Sequence, residues 1–568
     1  MQIECTISKD FMMTRLIATG LPVLILKSLI VGLSAVSVFA DTLYSGGTVY
    51  SLDSSNSVGQ SLCVSADRIV AVVDCQVESI VNLDGATVIP GFIESHGHLM
   101  SLGFAKLRLD LNSTRNLDEL VASVATAVDS AEPGEWILGR GWHQSKWLPQ
   151  PHDMIGGFQT NETLSEVSRE NPVFLVHASG HAAFVNDKAL ALAGVNDATL
   201  FSGDGEIMRN SKGHATGVLN ERAQRLVSKI IPEPSPSQRQ RALTLALEDL
   251  AKHGITSFQD AGTGQQEIDL YKQFMAEGRL TSRLYVMLNG GNDQLLSAWM
   301  DRGPEIGLGD NRLTIRAIKL VADGALGSRG AWLLAPYSDR AGHVGLPTMS
   351  PDNMSDLSHL AYQNGFQMGI HAIGDRANRE VLDIFDELFD GRNRGVRFRI
   401  EHAQHIDPAD IPRFGQLGVI ASVQGIHMSS DRPWAINRLG QKRIEEGAYV
   451  WRKLVDSGAV LINGTDAPVE PVSAIASYYS LVSRKTLAGL PESGFEPGQK
   501  LTRYEALRAY TVDAAYGAFE EEFKGTLEPG KVADFVILDQ DLLKIPEQQI
   551  LQTAILKTVV AGNVIYER

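Results

Sequence analysis

The chain has 568 residues, 44% apolar and 21% charged, enough for a large catalytic domain beside a smaller one and too long for a disulfide-stapled module. Its 51 Lys and Arg against 67 Asp and Glu leave a net charge of -16, with no Lys/Arg-rich block. That balance excludes a mainly disordered chain and argues against nucleic acid as a ligand, because binding phosphates needs concentrated basic surface.

From Leu16 to Ala40 the sequence is almost all apolar or small, with Arg15 and Lys27 near its start. The stretch after Lys27 is too short to span hydrocarbon, and Val38 and Ala40 occupy the -3 and -1 positions of a cleavage site. Residues 1–40 therefore read as a secretory signal peptide, which implies an exported protein, periplasmic or secreted, with no stable membrane partner after cleavage. The alternative is an uncleaved membrane anchor over the whole apolar stretch. Of the three cysteines, Cys5 leaves with the leader; export permits one disulfide between Cys63 and Cys75, and the sequence leaves their pairing open. No CxxC occurs, which excludes dithiol redox chemistry and thiolate metal sites.

Residues 41–88 alternate apolar and polar side chains between Gly and Asp turns, the pattern of short strands, and 526–568 repeat it. Neither end has enough interior to fold alone, so the expectation is one composite β-sandwich built from both. Between them, over 89–525, eight apolar strand candidates alternate with mostly helical runs: 88–96, 255–262, 283–290, 314–324, 366–375, 396–404, 418–427 and 459–468. Eight buried strands alternating with helices specify an α/β fold, a (β/α)8 TIM barrel, whose active site gathers at the C-terminal ends of the strands. The gap from 99 to 254 is too long for one connection, so an α/β lobe is expected at approximately 115–250, over the barrel mouth.

Polar residues fall where such a site requires them. His96 and His98, two apart in ESHGH, face one side of an extended chain and can share an ion; His371, His402 and Asp466 stand at the ends of strands five, six and eight. Lys319, inside TIRAIKLVA on strand four, is costly to bury as an ammonium. Reaction with carbon dioxide would convert it to a carbamate, an oxygen ligand able to bridge two divalent ions; the alternative is an ordinary lysine paired with Asp323. These six residues form the expected metal set for one or two divalent ions.

The motifs PGFIESHGH, GRGWHQSKW, HASGHAAFVNDKAL, GVLNERA, IKLVADGALGSRGAWL, HAIGDRA, EHAQ, SVQGIH, GTDAPVEP and GTLEPGKVADFVILD follow one another from residue 42 to the end. In these the chain resembles the amidohydrolase superfamily, specifically amidohydrolase family 3, and is similar to the N-substituted formamide deformylases. The resemblance implies a barrel with a composite sandwich, a divalent metal site, zinc being the expected metal, and hydrolysis of carbon–nitrogen bonds other than peptide bonds. It makes His96 and His98 ligands of the more buried metal, Lys319 the carbamylated bridge, His371 and His402 ligands of the second metal, and Asp466 the residue that ligates and accepts the proton. Relatives commonly carry Asp at the position of Glu94, Asp at His143 and Pro at Gly425; these departures leave the ligands intact and bear on substrate preference.

In the expected mechanism, metal-activated water attacks a small amide-like substrate while Asp466 takes the water proton and returns it to the leaving nitrogen. Glu401 and Asp375 neighbour ligand histidines, but strand alternation turns Glu401 away from His402, so a salt bridge within the barrel is its expected role. His181 in HASGH is a candidate for substrate contact from the lobe, Arg329 for clamping an oxygen, and Gln424 and His427 for reaching the pocket after strand seven. Glu221 reads as a helical residue in a solvated ion pair. Cyclic amides, amidines and ester-like substrates are the alternatives at the same metal site. A barrel that binds without catalysis is the competing class, but it would lack ligands, and here every position is filled. Oligomeric state stays open, a homodimer included.

Overall fold

A computed structural model describes residues 39–568 apart from 74, 145–146, 178–181, 202–204, 328 and 392–394. All but the last residues of the expected signal peptide, and His181 entirely, lie outside the described residues. Eight parallel strands form the central sheet in sequence order: β1 (Phe92–Gly97), β2 (Ile255–Thr263), β3 (Arg283–Asn289), β4 (Leu313–Val321), β5 (Gln367–Ala372), β6 (Arg399–His402), β7 (Ile420–Val423) and β8 (Leu461–Asn463). All eight expected strands are present. The first is shorter than its apolar run suggests: the chain bends at Gly91, and Thr87–Pro90 pairs instead with Phe535–Leu538 in another sheet.

The barrel closes between β8 and β1 without a full ladder. The Asp466 N–H donates to His96 O at 2.8 Å and the Thr465 N–H to Glu94 Oε1 at 2.6 Å, while Tyr510 O accepts from the Ile93 N–H at 2.7 Å lower in the seam. Gly464 makes this approach possible, since a Cβ there would lie 2.3 Å from Glu94 Oε1 and 2.7 Å from His96 N. Inside, Arg399 is fully buried and donates to Ser95 O (2.6 Å), Ser422 Oγ (2.9 Å), Gln259 and Glu401.

The surrounding helices follow from their sequences. Pro236–Lys252 opens with a capping box between Ser235 and Gln238 and buries Ala242, Leu243, Ala246, Leu247 and Leu250. It packs into the main core, shared with Leu99 and Leu102 of the helix that follows β1. Asp375–Phe389 buries Val381, Leu382, Phe385, Leu388 and Phe389 at helical spacing, and ends where Asp390 turns left-handed at φ 52°.

Both chain ends share one eight-stranded sheet. Phe535–Leu538 lies between Thr87–Pro90 and Ile555–Val560, and Tyr44, Val49, Val88, Phe535, Ile537 and Val559 form a common core. Cys63 and Cys75 are joined by a disulfide. Arg283, at the base of β3, fixes the sheet to the barrel through a buried fork on Asp534, with Nε at 2.7 Å and Nη2 at 3.1 Å from the carboxylate. The insertion is an α/β lobe around a six-stranded mixed sheet, running from Leu109–Asp110 to Ala215–Glu221. Glu221 thus ends a strand and is not helical. No helix among the described residues is long and apolar enough to cross a membrane.

Candidate metal centre

The six expected ligands sit at or near the C-terminal ends of β1, β4, β5, β6 and β8. Ligand atoms of His96, His402 and Asp466 lie within 4.8 Å of one another. Asp466 Oδ1 is 3.1 Å from His98 Nε2 and 3.7 Å from His96 Nε2. The His402 ring stands 5.0 Å from that of His96 and 4.4 Å from that of His371, and Lys319 Nζ is 3.4 Å from His96 Nε2. Two of these residues occupy left-handed backbone, His402 at φ 75° and Asp466 at φ 58°. Such conformations cost a non-glycine residue free energy and persist where the surroundings enforce them, typically at functional sites.

Each of three imidazoles is oriented from behind through Nδ1. His96 Nδ1 meets Glu401 Oε2 at 2.5 Å, His98 Nδ1 meets Ala261 O at 2.8 Å, and His402 Nδ1 meets Gln424 Oε1 at 2.6 Å. An acceptor at Nδ1 keeps the proton there and leaves the Nε2 lone pair for the interior, the arrangement in which histidine binds metals. Glu401 therefore does more than the salt bridge with Arg399: it orients His96, on a strand far from its own in sequence. Asp323 has a different task from the alternative considered for Lys319. Its oxygens accept from the N–H groups of Trp332 (2.8 Å), Ile373 (3.0 Å) and Gly374 (2.8 Å), and Oδ1 is 3.3 Å from His371 Nε2.

Electrostatics favour the metal-binding protonation states. Burial, reinforced by Lys319, pulls His96 down to about 4, and burial with the neighbouring His371 holds His402 well below the usual histidine range. Burial opposes ionisation of Asp466, but the imidazoles of His98, His96, His402 and His427 outweigh it and keep the carboxyl well below its ordinary value. Burial also lowers Lys319, against the pull of Glu401 and Asp466. Glu94 is pushed up to about 8 by burial, despite accepting from Thr465 N, Thr465 Oγ1 and His96 N. Burial lowers His98 as well, but the adjacent Asp466 carboxylate outweighs it and raises the group; His96 and His402, held neutral beside that carboxylate, are a donor set for a divalent cation. Asp466 Oδ1 and His371 Nε2 are buried and complete no hydrogen bond, although Oδ1 stands 3.1 Å from His98 Nε2 and His371 Nε2 stands 3.3 Å from Asp323 Oδ1. The residues fit a metal.

The remaining candidates separate. Gln424 acts on His402 from behind, and His427 lies parallel to His402, ring centroids 6.2 Å apart, its Nε2 buried and without a hydrogen-bond partner. Arg329 is not brought in as an oxygen clamp: its guanidinium is committed to Asp339 through Nε at 3.0 Å and Nη2 at 2.9 Å. Asp375 lies 3.3 Å from His405 Nε2 and accepts the Leu334 N–H, so it does not orient a ligand histidine. Gly425 donates its N–H to Asn463 Oδ1 at 2.8 Å, a bond the proline of relatives lacks a donor to make. His143 stands beside His177 in the lobe, rings 4.7 Å apart. Sequence reasoning missed Asp260, whose Oδ1 accepts the Leu99 N–H at 2.8 Å just after His98 and whose Oδ2 takes Tyr271 Oη at 2.7 Å. Its place near the end of β2 was the available signal.

A parallel barrel with histidines and an aspartate converging at its mouth defines a metal-dependent hydrolase. The chain belongs to the amidohydrolase family, whose profile matches residues 79–566, in the subgroup called amidohydrolase family 3. It is 32% identical over 552 residues to Protein LONG AFTER FAR-RED 3 of Arabidopsis thaliana, covering 93% of this chain and 92% of that one. It is 29% identical over 552 residues to N-substituted formamide deformylase of Arthrobacter pascens, covering 93% and 98%. The crystal structure of an uncharacterized metal-dependent hydrolase from Pyrococcus furiosus matches with a TM-score of 0.72 at 29% identity, over 89% of this chain and 100% of that one.

Proposed function

We propose that the enzyme hydrolyses a carbon–nitrogen bond of a small non-peptide amide, an N-substituted formamide or a close analogue, with zinc as the metal. The observation that carries this reading is the convergence of His96, His402 and Asp466, whose ligand atoms lie within 4.8 Å of one another at the barrel mouth, with His98 Nε2 3.1 Å from Asp466 Oδ1. The similarity to N-substituted formamide deformylase over almost the whole of both chains supports the substrate class.

A divalent cation at this centre supplies polarisation of the substrate carbonyl and acidification of water. Asp466, anionic among imidazoles, accepts the proton that water loses as its oxygen bonds to the carbonyl carbon, and delivers it to the nitrogen as the C–N bond breaks. Glu401, Gln424 and Ala261 O keep the imidazole lone pairs aimed inward throughout. His427, with its free Nε2, is placed to contact the substrate. Lys319, as its carbamate, would offer the cation an anionic oxygen donor; its burial and its 3.4 Å approach to His96 support this, because an ammonium there would repel a cation held by the imidazoles. Export through cleavage after Ala40 is part of the same reading, supported by the Cys63–Cys75 disulfide, a bond that persists in oxidising compartments.

A hydrolysis screen tests the substrate class. Zinc-loaded protein should release formate from N-formyl amines of varied substituent and leave cyclic amides untouched. Turnover of cyclic amides, amidines or esters with no action on N-formyl amines would overturn it.

A further inference from the structure

Asp466 is not held by a strand. β8 ends at Asn463, and Asp466 follows it in left-handed backbone at φ 58°. Its height against the histidines of β1 is therefore set by the bonds that cross the seam. Two of these are backbone bonds that any side chains would allow: the Asp466 N–H to His96 O at 2.8 Å and the His98 N–H to Ala467 O at 2.7 Å. The others come from one side chain. Glu94 Oε1 accepts the Thr465 N–H at 2.6 Å and the His96 N–H at 3.3 Å, and Oε2 accepts the Thr465 hydroxyl at 3.0 Å.

One oxygen thus bonds both the residue before Asp466 and a histidine of the facing strand, so it fixes the gap between them. Glu94 and Thr465 are fully buried, which keeps water from replacing a lost acceptor, and a buried N–H left unpaired is costly. The distances that depend on this gap are those of Asp466 Oδ1, 3.1 Å from His98 Nε2 and 3.7 Å from His96 Nε2. In an active site a displacement of about 1 Å can cost about a hundredfold in rate.

From this geometry we infer that Glu94 is a positioning residue for Asp466, acting through Thr465 across the seam. The inference rests on the reading of Asp466 as ligand and base. Placement of the acceptor decides the role, so side-chain length matters more than charge. Aspartate at this position would withdraw the oxygens by one carbon–carbon bond, about 1.5 Å. Glutamine keeps Oε1 for both N–H groups and turns its NH2 to Thr465 Oγ1, a hydroxyl that accepts as well as donates.

Chelator competition for zinc, with steady-state kinetics on an N-formyl amine at saturating zinc, tests this on the full chain. Glu94→Asp should bind zinc about 10- to 100-fold more weakly and, once loaded, lose about tenfold or more in kcat with KM unchanged. Glu94→Gln should match the wild type in both. Thr465→Val removes only the hydroxyl bond and should weaken zinc binding by a smaller factor. In an Asp466→Ala background neither Glu94→Asp nor Thr465→Val should weaken it further, because the group they place is gone. Losses that add in that background would overturn the inference. So would wild-type affinity and kcat in Glu94→Asp, or a loss in Glu94→Gln as large as in Glu94→Asp. Failure of the underlying reading looks different: Asp466→Ala alone would then bind zinc as the wild type does, which overturns both.

Discussion

Glu401→Gln separates orientation of a ligand from ligation itself. The carboxylate accepts two hydrogen bonds on Oε2, from His96 Nδ1 at 2.5 Å and Arg399 Nη2 at 3.0 Å, and Oε1 is ion-paired with Arg399 Nε. An amide of the same shape has one acceptor oxygen, so its NH2 group must face either His96 or Arg399, both of them donors. One charge-assisted bond is lost, about 1.5–3 kcal/mol, and a buried guanidinium loses its counter-charge, which brings the cost to about 3–5 kcal/mol. With the NH2 group turned to the Oε2 position, the imidazole of His96 also loses the partner that fixes its tautomer, a change that typically weakens metal affinity about 10- to 100-fold. Chelator competition measures the affinity and calorimetry of the metal-free protein measures the stability. A variant with wild-type affinity and an unchanged thermal midpoint would refute the orienting role.

Asp466→Asn retains the side-chain shape but cannot take the proton, so kcat should fall by about 10²–10⁴, read in steady-state assays at matched metal content; a wild-type rate would remove Asp466 from the chemistry. Asp534→Ala should cost about 3–5 kcal/mol by leaving Arg283 buried and unpaired, measured by calorimetry. Burial alone would raise Asp534, yet Arg283 and the Ala561 N–H hold it below the usual carboxylate range. Its contribution is therefore complete above the unfolded value of about 3.9 and disappears as pH falls through the lower native value, so wild type and variant should converge in stability only in acid. Deleting 526–568 removes the strand beside Thr87–Pro90 and exposes that edge; the truncated protein should aggregate, and soluble enzyme with unchanged unfolding would show that the ends are independent.

The barrel was legible because its strands are apolar runs ended by polar residues, and the ligands because they recur at those ends. His96, His98, Lys319, His371, His402 and Asp466 could all be placed from that pattern alone. What strand periodicity cannot carry is which residue faces which across the barrel. Glu401 turns away from His402 as alternation requires, yet the partner it turns toward is His96, 305 residues distant. The break at Gly91 was hidden because Thr87–Pro90 and Phe92–Gly97 are equally apolar, each buried in its own sheet. Arg329 was misplaced because its partner Asp339 lies ten residues on in an irregular segment with no periodicity to read.

The central claim is that the histidines and Asp466 at the barrel mouth hold a catalytic divalent metal. Anomalous diffraction at the zinc edge from zinc-loaded protein, with the metal content of the same sample, tests it most directly. A peak within bonding distance of His96, His402 and Asp466, lost together with hydrolysis on chelation, is the result expected. No peak at these residues, with hydrolysis surviving in metal-stripped protein, would contradict it.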